Sequence, residues 1–477
     1  MNRSVVASAV LFSFVVAVAV LTGCSAELEN AAPGVSETSF ALGDPNLRIA
    51  VVGAGPSGLT AAHELEKRGY QNVVVFEKDA RVGGKVNTLR MGGLSAELGA
   101  VFGAHNYELT FALATEYGIP YVEYLTPRQV YDSSIANVPF KKSYQEFLLQ
   151  HYTLPEIVAA TQNYARVLQT YPQIFADSMA NLPAALQQNF QTFAEQEGIV
   201  PVAEMAKSLV VGFGYGYYDN VPAIYVLKIL NMLVKVGPQG LYSAPYYVFP
   251  GGFQSLWEAV ARDLDVRLNS EVTKIKRSDC GGPIELTVNH TDRQQFDVVI
   301  VSAPLSAVPR FVKLSKHEKE LFEQVESTRY FVTLFAATNM QGGETTFVHD
   351  HATSDKINHV AVWASPGGGS GVFSAYQITD RSVSTESVAN TLAADVLAIG
   401  GGVLQRVLVQ KEWTDYFPRV NAAALAAGFY DQVEALQGQG GLYYVGGTLS
   451  FETVETSARY ARSLVDASFP ATAVVAP

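Results

Sequence analysis

The chain has 477 residues, of which 48% are hydrophobic and only 16% are charged, and its formal net charge is −12. This composition favours a large apolar core and argues against a disordered chain. The acidic charge, with no basic cluster to offset it, argues against nucleic acid as a partner. A chain of this length is expected to fold as two structural domains.

The N-terminus is predicted to be an export signal. Arg3 precedes a nearly unbroken apolar run over 5–21, which is typical of a signal peptide. The stretch Leu21-Thr22-Gly23-Cys24 resembles a bacterial lipobox, in which Cys24 would carry a lipid. Cleavage near Ala26 and an uncleaved anchor are the alternatives. Residues 1–26 are therefore predicted to be a signal peptide or lipoprotein signal, and 27–46 a tether. The expected localisation is export, followed by lipid anchoring or secretion.

A glycine-rich turn comes next and predicts a dinucleotide site. The apolar run 49–52 is typical of a buried strand, and a helix is predicted over 59–67. Gly53, Gly55 and Gly58 between them form G-x-G-x-x-G, with Pro56 and Ser57 inside the turn. The first glycine permits the turn, the second admits a pyrophosphate, and the third allows close packing of helix on strand. The N-terminal dipole of the helix then faces the phosphates.

The following acid and second glycine pair point to a flavin. A strand over 73–76 ends at Glu77, which can accept hydrogen bonds from ribose hydroxyls. Residues 77–85 read E-x-x-x-R-x-G-G-K and resemble the flavin amine oxidase superfamily. The resemblance implies FAD contacts along this stretch and just beyond it. These are Lys78, Arg81, Gly84, Lys85, Gly99 and Ala100.

The remaining chain is predicted to pass repeatedly between two domains. Helices are predicted over 107–117, 156–168, 182–197, 221–236, 254–264, 386–399 and 456–467. Strands are predicted over 266–268, 272–275, 296–302, 329–338, 359–363 and 371–379, and 442–451 reads as a strand followed by a loop. The predicted parts are FAD-binding at 47–125, 241–310 and 426–477, a helical insert at 126–240, and a substrate-domain sheet with helices at 311–425. The expected fold is α/β: a Rossmann-like FAD-binding domain of the amine oxidase type, interleaved with a substrate domain of mixed sheet and helical insert.

Three features bear on the substrate. Aromatic residues alternate with glycines from 211 onward, so Tyr215 and Tyr217 can line a tunnel, the alternative being an aromatic core under a helix. Phe417 lies in the aromatic stretch 413–419 and can face the flavin or pack at an interface. Arg128 stands among neutral residues, where it suits a substrate carboxylate or simply lies in solvent.

Three longer stretches resemble the flavin-dependent polyunsaturated fatty acid isomerases, which have bacterial and red-algal members. They are "GFGYGYYDNVPAIYVLKIL" (212–230), "EWTDYFPRV" (412–420) and "AGFYDQVEALQGQGGLYYVGGTLSF" (427–451). The resemblance implies an FAD-dependent enzyme that converts a free polyunsaturated fatty acid to a conjugated one, with Arg128 holding the carboxylate. A flavin amine oxidase, a desaturase or dehydrogenase on an apolar substrate, and a non-enzymatic flavin-binding lipid carrier are the alternatives.

The mechanism that this resemblance implies is hydride transfer to flavin N5 and return to another carbon. No side-chain acid or base is then required, and no metal is expected. The aromatic residues Tyr215, Tyr217 and Phe417 are predicted to contact the substrate and steady its positive charge. Non-covalent FAD is expected, because the one remaining cysteine, Cys280, lies in the turn-like stretch "SDCGG".

The C-terminal flavin stretch departs from the superfamily pattern. The superfamily usually has Ala-Gly-Glu there, whereas this chain has Val445, Gly446 and Gly447, so the acid is missing. Glu452 and Glu455 are the candidates to replace it. Further cofactor contacts are predicted at Gly446, Gly447 and Val454, at Val272 beside the adenine, and at Trp413. The chain also has extra residues around 236–240, at the expected gate of the tunnel.

Overall fold

The computed structural model describes residues 42–134, 141–237, 240–278, 282–365 and 371–472. The predicted export signal, Cys24, most of the tether and Cys280 lie outside these residues, so those interpretations stay predictions. Among the described helices, none has the length and hydropathy needed to cross a membrane.

The described chain contains strands and helices along its whole length, with an uninterrupted run of helices between β8 and β9. The strands are β1 (Arg48–Val52), β2 (Asn72–Phe76), β3 (Thr88–Met91), β4 (Leu94–Glu97), β5 (Gly103–Ala104), β6 (Val122–Glu123), β7 (Arg128–Tyr131), β8 (Lys141–Lys142), β9 (Val234–Gly237), β10 (Gly240–Ser243), β11 (Tyr246–Val248), β12 (Asp265–Arg267), β13 (Val272–Lys276), β14 (Ile284–Val288), β15 (Asp292–Phe296), β16 (Val298–Val301), β17 (Glu326–Thr338), β18 (Thr345–Val348), β19 (Val360–Ala364), β20 (Val372–Thr379), β21 (Val403–Arg419) and β22 (Leu442–Tyr444). The α-helices are α1 (Pro56–Lys67), α2 (Glu108–Glu116), α3 (Tyr144–His151), α4 (Leu154–Thr170), α5 (Ala184–Gln187), α6 (Phe190–Gln196), α7 (Val200–Gly212), α8 (Ala223–Leu233), α9 (Gln254–Val260), α10 (Lys316–Phe322), α11 (Thr385–Ala398), α12 (Ala422–Ala426), α13 (Phe429–Glu434), α14 (Gly447–Ser450) and α15 (Val454–Ser468).

The first body is a parallel five-stranded sheet in the order β12-β2-β1-β16-β22. Its strands come from three separated stretches of the chain, and the register pairs Ile49 with both Val73 and Val298. The residues of β1 and β16 are almost entirely buried, as expected for a parallel sheet covered on both faces. Helices α1 and α15 pack together beside this sheet. The expected Rossmann-like α/β architecture is confirmed.

The second body is a seven-stranded mixed sheet in the order β21-β17-β20-β19-β18-β7-β8. All its neighbouring strands are antiparallel except β18 and β7, which run parallel. The long strand β21 was not predicted as a strand. Its N-terminal residues are half-buried or exposed, and apolar and polar side chains follow one another there without a clear alternation.

The helical insert differs from its prediction in several places. The helix predicted over 182–197 is two short helices, α5 and α6, because Gln188 adopts an extended conformation between them. The predicted helix over 221–236 ends at Leu233, where the chain turns into β9 and pairs with β10 in a two-stranded sheet. Helix α7 was missed altogether, although Pro201 in its first turn is a regular start signal.

Candidate functional site

A cavity of about 1320 Å³ is lined by residues of both bodies. Its first part is lined by the glycine turn after β1 and by the loop at Gly84, and its far part by Arg128 and the aromatic residues of the substrate domain. A cleft where two bodies meet is the usual place for a cofactor and its substrate.

The glycine turn has the shape that a pyrophosphate requires. A Cβ on Gly58 would overlap the carbonyl oxygen of Gly53, so this third glycine serves the packing of α1 on β1. Gly55 is different, because a Cβ there would meet nothing closer than Gly84 Cα at 3.9 Å. Its lack of a side chain is not needed for internal packing and leaves open the space in front of α1. That helix has no side-chain cap, so its first N–H groups remain available to an anion.

Glu77 and Arg81 brace the loops around this turn. The buried Glu77 carboxylate accepts hydrogen bonds from the N–H groups of Ala54 and Asp79, each at 2.9 Å. Glu77 lines the cavity, where its remaining acceptor capacity suits ribose hydroxyls. Arg81 donates to the carbonyls of Val82, Val86 and Gly84. Arg81 is not among the residues that line the cavity, so its role in this structure is to stabilise the loop around Gly84.

Glu452 occupies the place in front of Gly447. A Cβ on Gly447 would lie 2.8 Å from Glu452 Cβ, so the two side chains could not coexist in this arrangement. The Glu452 carboxylate accepts from Lys85 Nζ at 2.7 Å and from the Phe417 N–H at 3.0 Å. Burial raises the pKa of Glu452, and the Lys85 charge opposes that rise. Glu452 therefore puts a carboxylate beside the predicted ribityl position and ties three chain stretches together.

Glu455, the other candidate for the missing acid, has a different role. Its carboxylate accepts from the N–H groups of Leu109 and Thr110 at 2.9 Å and from the Thr110 hydroxyl at 2.7 Å. These are the first residues of α2, so Glu455 stabilises the N-terminus of that helix from α15. It is buried and does not line the cavity.

Arg128 lies in the far part of the cavity with uncharged partners. Its guanidinium donates to the Ser243 hydroxyl at 2.6 Å and to the Ala244 carbonyl at 3.2 Å. It also lies over the Tyr246 ring, 4.1 Å from the ring centroid. No described carboxylate forms an ion pair with it, so its positive charge is available to a ligand in the cavity.

Aromatic side chains form much of the wall between Arg128 and the loop at Gly99. The Tyr246 ring stacks on the Phe102 ring with the two centroids 4.1 Å apart. The Phe102 and Phe213 rings pack edge to face, and their centroids are 5.2 Å apart. Trp413 donates its indole N–H to the Leu98 carbonyl at 2.6 Å. A Cβ on Gly214 would lie 2.7 Å from the Tyr416 ring, so the glycines of this stretch let the rings approach closely.

Most of the predicted cofactor residues line this one cavity. Those that do are Gly53, Gly55, Pro56, Ser57, Glu77, Lys78, Gly84, Lys85, Gly99, Ala100, Val272, Trp413, Gly446, Gly447 and Val454, together with the predicted substrate residues Arg128 and Tyr215. Gly58 and Arg81 support the cofactor loops from behind, as described above.

The structure places Tyr217 and Phe417, both predicted to contact the substrate, outside the lining of the cavity. Both side chains are buried. Phe417 has a positive φ of 48°, which breaks the alternation of β21 and packs its ring against Tyr215 and Phe451. Its neighbour Tyr416 lines the cavity instead.

Sequence reasoning missed Phe102, Tyr246 and Ser243. Phe102 follows the predicted flavin contact at Ala100 closely, so its position was a usable signal. Tyr246 and Ser243 meet Arg128 only through the fold, and nothing local in the sequence marks them. Taken together, the open glycine turn, the uncapped α1 and the acids at 77 and 452 fit a flavin dinucleotide.

The comparisons with known proteins agree with this geometry. Residues 56–337 match the family model described as Flavin containing amine oxidoreductase. The polyenoic fatty acid isomerase of Ptilota filicina is 23% identical over 334 residues, covering 62% of this chain and 65% of that protein. An uncharacterized protein of Acanthamoeba polyphaga mimivirus is 25% identical over 318 residues, covering 59% of this chain and 63% of that protein. The matched region thus spans a little under two thirds of the length of these relatives.

A solved structure shares the fold over nearly its full length. The crystal structure of the CLA-producing fatty acid isomerase from P. acnes has a TM-score of 0.79 and 23% identity, and covers 89% of this chain and 99% of its own. The resemblance inferred from the sequence is thereby confirmed.

Proposed function

The chain belongs to the flavin containing amine oxidoreductase family, and from this premise we propose that it isomerises a free polyunsaturated fatty acid to a conjugated one with non-covalently bound FAD. The observation that carries the proposal is the Arg128 guanidinium, which forms no ion pair with a described carboxylate and lies beside aromatic side chains that line the same cavity. The similarity to two fatty acid isomerases supports the same substrate class.

The charge of Arg128 favours an acid over an amine. A carboxylate can form a bidentate, charge-assisted pair with a guanidinium that lacks an ionised partner. A protonated amine in the same place would be repelled, and the screening by water is weak inside a cavity. Among the alternatives, an amine oxidase is thus the one that Arg128 disfavours most directly.

The wall of the cavity suits the hydrocarbon part of such an acid. Phe102, Phe213 and Phe347 are among its lining residues and offer apolar surface with no hydrogen-bonding groups. A dry wall of this kind keeps water from a carbocation, which water would otherwise capture as an alcohol. Aromatic faces also attract positive charge, so Tyr215 and Tyr416 can steady it.

The residues of the chain supply binding and positioning rather than proton transfer. Both oxygens of Glu452 are engaged, one by Lys85 and one by the Phe417 N–H, so it acts as a bridge. Burial raises the pKa of Tyr215 and Tyr416 well above the ordinary value, so both hydroxyls stay protonated. A bound flavin supplies the redox chemistry, because it can accept a hydride and return it.

The test is an anaerobic incubation of the flavin-loaded protein with linoleate, arachidonate and a panel of amines. We expect conjugated-diene or conjugated-triene absorbance to grow with one of the acids and no peroxide to form when air is admitted. Deuterium at the doubly allylic carbon should reappear at another carbon of the same molecule. Stoichiometric peroxide with an amine would support an oxidase, and a desaturated product would support a dehydrogenase.

A further inference from the structure

The Arg128 guanidinium is part of a three-layer stack that ends beside the predicted flavin loop. It lies 4.1 Å from the centroid of the Tyr246 ring, and the Phe102 ring stacks on the other face of Tyr246. The two rings are nearly parallel, with an interplanar angle of 4° and centroids 4.1 Å apart. Phe102 follows Gly99 and Ala100, which line the cofactor part of the same cavity.

Backbone pairing fixes each layer of this stack. Tyr246 pairs with Ala104 across the β11–β5 ladder, so Phe102, two residues before Ala104, is a diagonal neighbour of the Tyr246 ring. Tyr124 donates its N–H to the Tyr246 carbonyl from the other side. Arg128 is held by Ser243 and Ala244, which immediately precede β11. The separation between the guanidinium and the flavin loop is therefore set by rings that cannot easily shift.

We propose that Tyr246 and Phe102 are positioning residues that act as a spacer: they fix the distance between the carboxylate anchor and the flavin, and so decide which doubly allylic carbon reacts. The inference rests on the proposed function, because it takes a fatty acid carboxylate as the ligand of Arg128. An acid anchored at a fixed point reaches the flavin with a fixed carbon. Replacing either ring by a smaller side chain moves the anchor relative to the loop.

The hydroxyl of Tyr246 is not part of the spacer, which provides a conservative variant. This oxygen is buried and forms no hydrogen bond of regular geometry among the described residues. Burial raises the pKa of the Tyr246 hydroxyl, and the nearby Arg128 and Ser243 oppose that rise. Tyr246→Phe therefore removes at most a weak polar contact and keeps both stacking faces. Tyr246→Leu and Phe102→Leu keep an apolar side chain, but a smaller one, and each removes one layer of the stack. Tyr164 is also buried with an unpartnered hydroxyl, and it lies on α4 away from the cavity, so Tyr164→Leu is the matched control.

The experiment compares linoleate with arachidonate, whose first doubly allylic carbon lies nearer the carboxylate. We expect Tyr246→Phe and Tyr164→Leu to keep the wild-type ratio of kcat/KM for the two acids and the same product double-bond positions. Tyr246→Leu and Phe102→Leu should each change the ratio by about tenfold or yield a second positional isomer. Unchanged ratios and products in both Leu variants would overturn the spacer, as would an equal change in Tyr164→Leu.

A binding measurement separates this inference from the proposed function. Stearates that carry a nitroxide at successive carbons quench flavin fluorescence most strongly when the label lies nearest the flavin. In Phe102→Leu and Tyr246→Leu the position of strongest quenching should move along the chain, and in Tyr246→Phe it should not. Absence of quenching by every label in the wild type would refute the proposed fatty acid site itself. Quenching with the same best position in all variants would refute only the spacer, and flavin absorbance verifies that each variant is folded and loaded.

Discussion

A single guanidinium determines, in our proposal, which substrates the cavity accepts. Arg128→Ala removes the charged side chain that we propose binds the substrate carboxylate. The loss should weaken binding of the acid by about 1.5–3 kcal/mol. We expect KM for free acids to rise accordingly, while the corresponding methyl esters are hardly affected. Arg406→Ala, which replaces an exposed arginine on β21, is the control. An equal loss for acids and esters would mean that Arg128 is structural.

Gly55 is a position where a substitution should weaken cofactor binding without affecting folding. A Cβ there would make only an ordinary contact, 3.9 Å from Gly84 Cα, and the residue has an ordinary φ of −80°, so Gly55→Ala should fold with unchanged stability. Its methyl group nevertheless stands where the pyrophosphate must approach, and Gly55→Val blocks that place more fully. We expect graded loss of flavin absorbance from Ala to Val, with unfolding curves of the flavin-free proteins that coincide. Full flavin occupancy in Gly55→Val would remove this assignment, and Gly251→Ala, outside the cavity, is the control.

Glu97 gives the protein a pH dependence with a defined sign. Its buried carboxyl accepts hydrogen bonds from the Thr88 hydroxyl and the Phe253 N–H, and burial raises its pKa from 4.5 to about 7. Because the pKa is higher in the folded state, this group's contribution to stability is complete below pH 4.5 and is lost as the pH rises through about 7. The loss is at most about 3 kcal/mol in the free energy of unfolding.

We therefore expect Glu97→Gln to flatten the pH dependence of stability across that window. Denaturant unfolding of the two proteins, below and above the window, measures the difference. If the wild type and the variant lose stability equally between the two conditions, the raised pKa of Glu97 is not the cause.

At the level of elements, Glu452 connects the loop after β2, the end of β21 and the start of α15. Glu452→Ala leaves the Phe417 N–H and the Lys85 ammonium without this carboxylate, which should lower the free energy of unfolding by about 1–3 kcal/mol. We also expect faster flavin release, measured by fluorescence recovery on dilution. Asp415→Asn is the matched control, because its carboxylate lies farther from Lys85 Nζ, at 3.8 Å. Similar losses in both variants would contradict a special role of Glu452.

Some parts of the site could be predicted from the sequence, and others could not. The turn from Gly53 to Glu77 was predictable because its strand, helix and acid follow one another along the chain. The sequence named both Glu452 and Glu455 as candidates for the missing acid but could not choose between them, because the position of Glu452 depends on Phe451, whose φ of 83° turns the chain so that the next side chain covers Gly447. Pairs such as Arg128 and Tyr246 were equally out of reach, because two different sheets bring them together.

The whole molecule should respond to its cofactor as one unit. The five-stranded sheet collects strands from three stretches, and the seven-stranded sheet lies between them in sequence, so neither body can unfold without disturbing the other's chain. We expect a single calorimetric transition whose Tm rises with FAD concentration. At a hundredfold excess of FAD over its Kd, binding should add about 2.7 kcal/mol to the free energy of unfolding. Riboflavin, which lacks the pyrophosphate and adenosine, should raise it far less. Two transitions, of which only one responds to FAD, would contradict this coupling.

The lateness of β22 in the chain has a consequence for biosynthesis. Gly446 and Gly447 follow this strand and line the cofactor part of the cavity, and Glu452 and Val454 come later still. A nascent polypeptide that has left the ribosome only as far as β16 already contains the glycine turn. It still lacks the later residues that line the cofactor part of the cavity. We therefore expect the flavin cofactor to bind only after these last segments have been translated, in the compartment where the finished polypeptide folds.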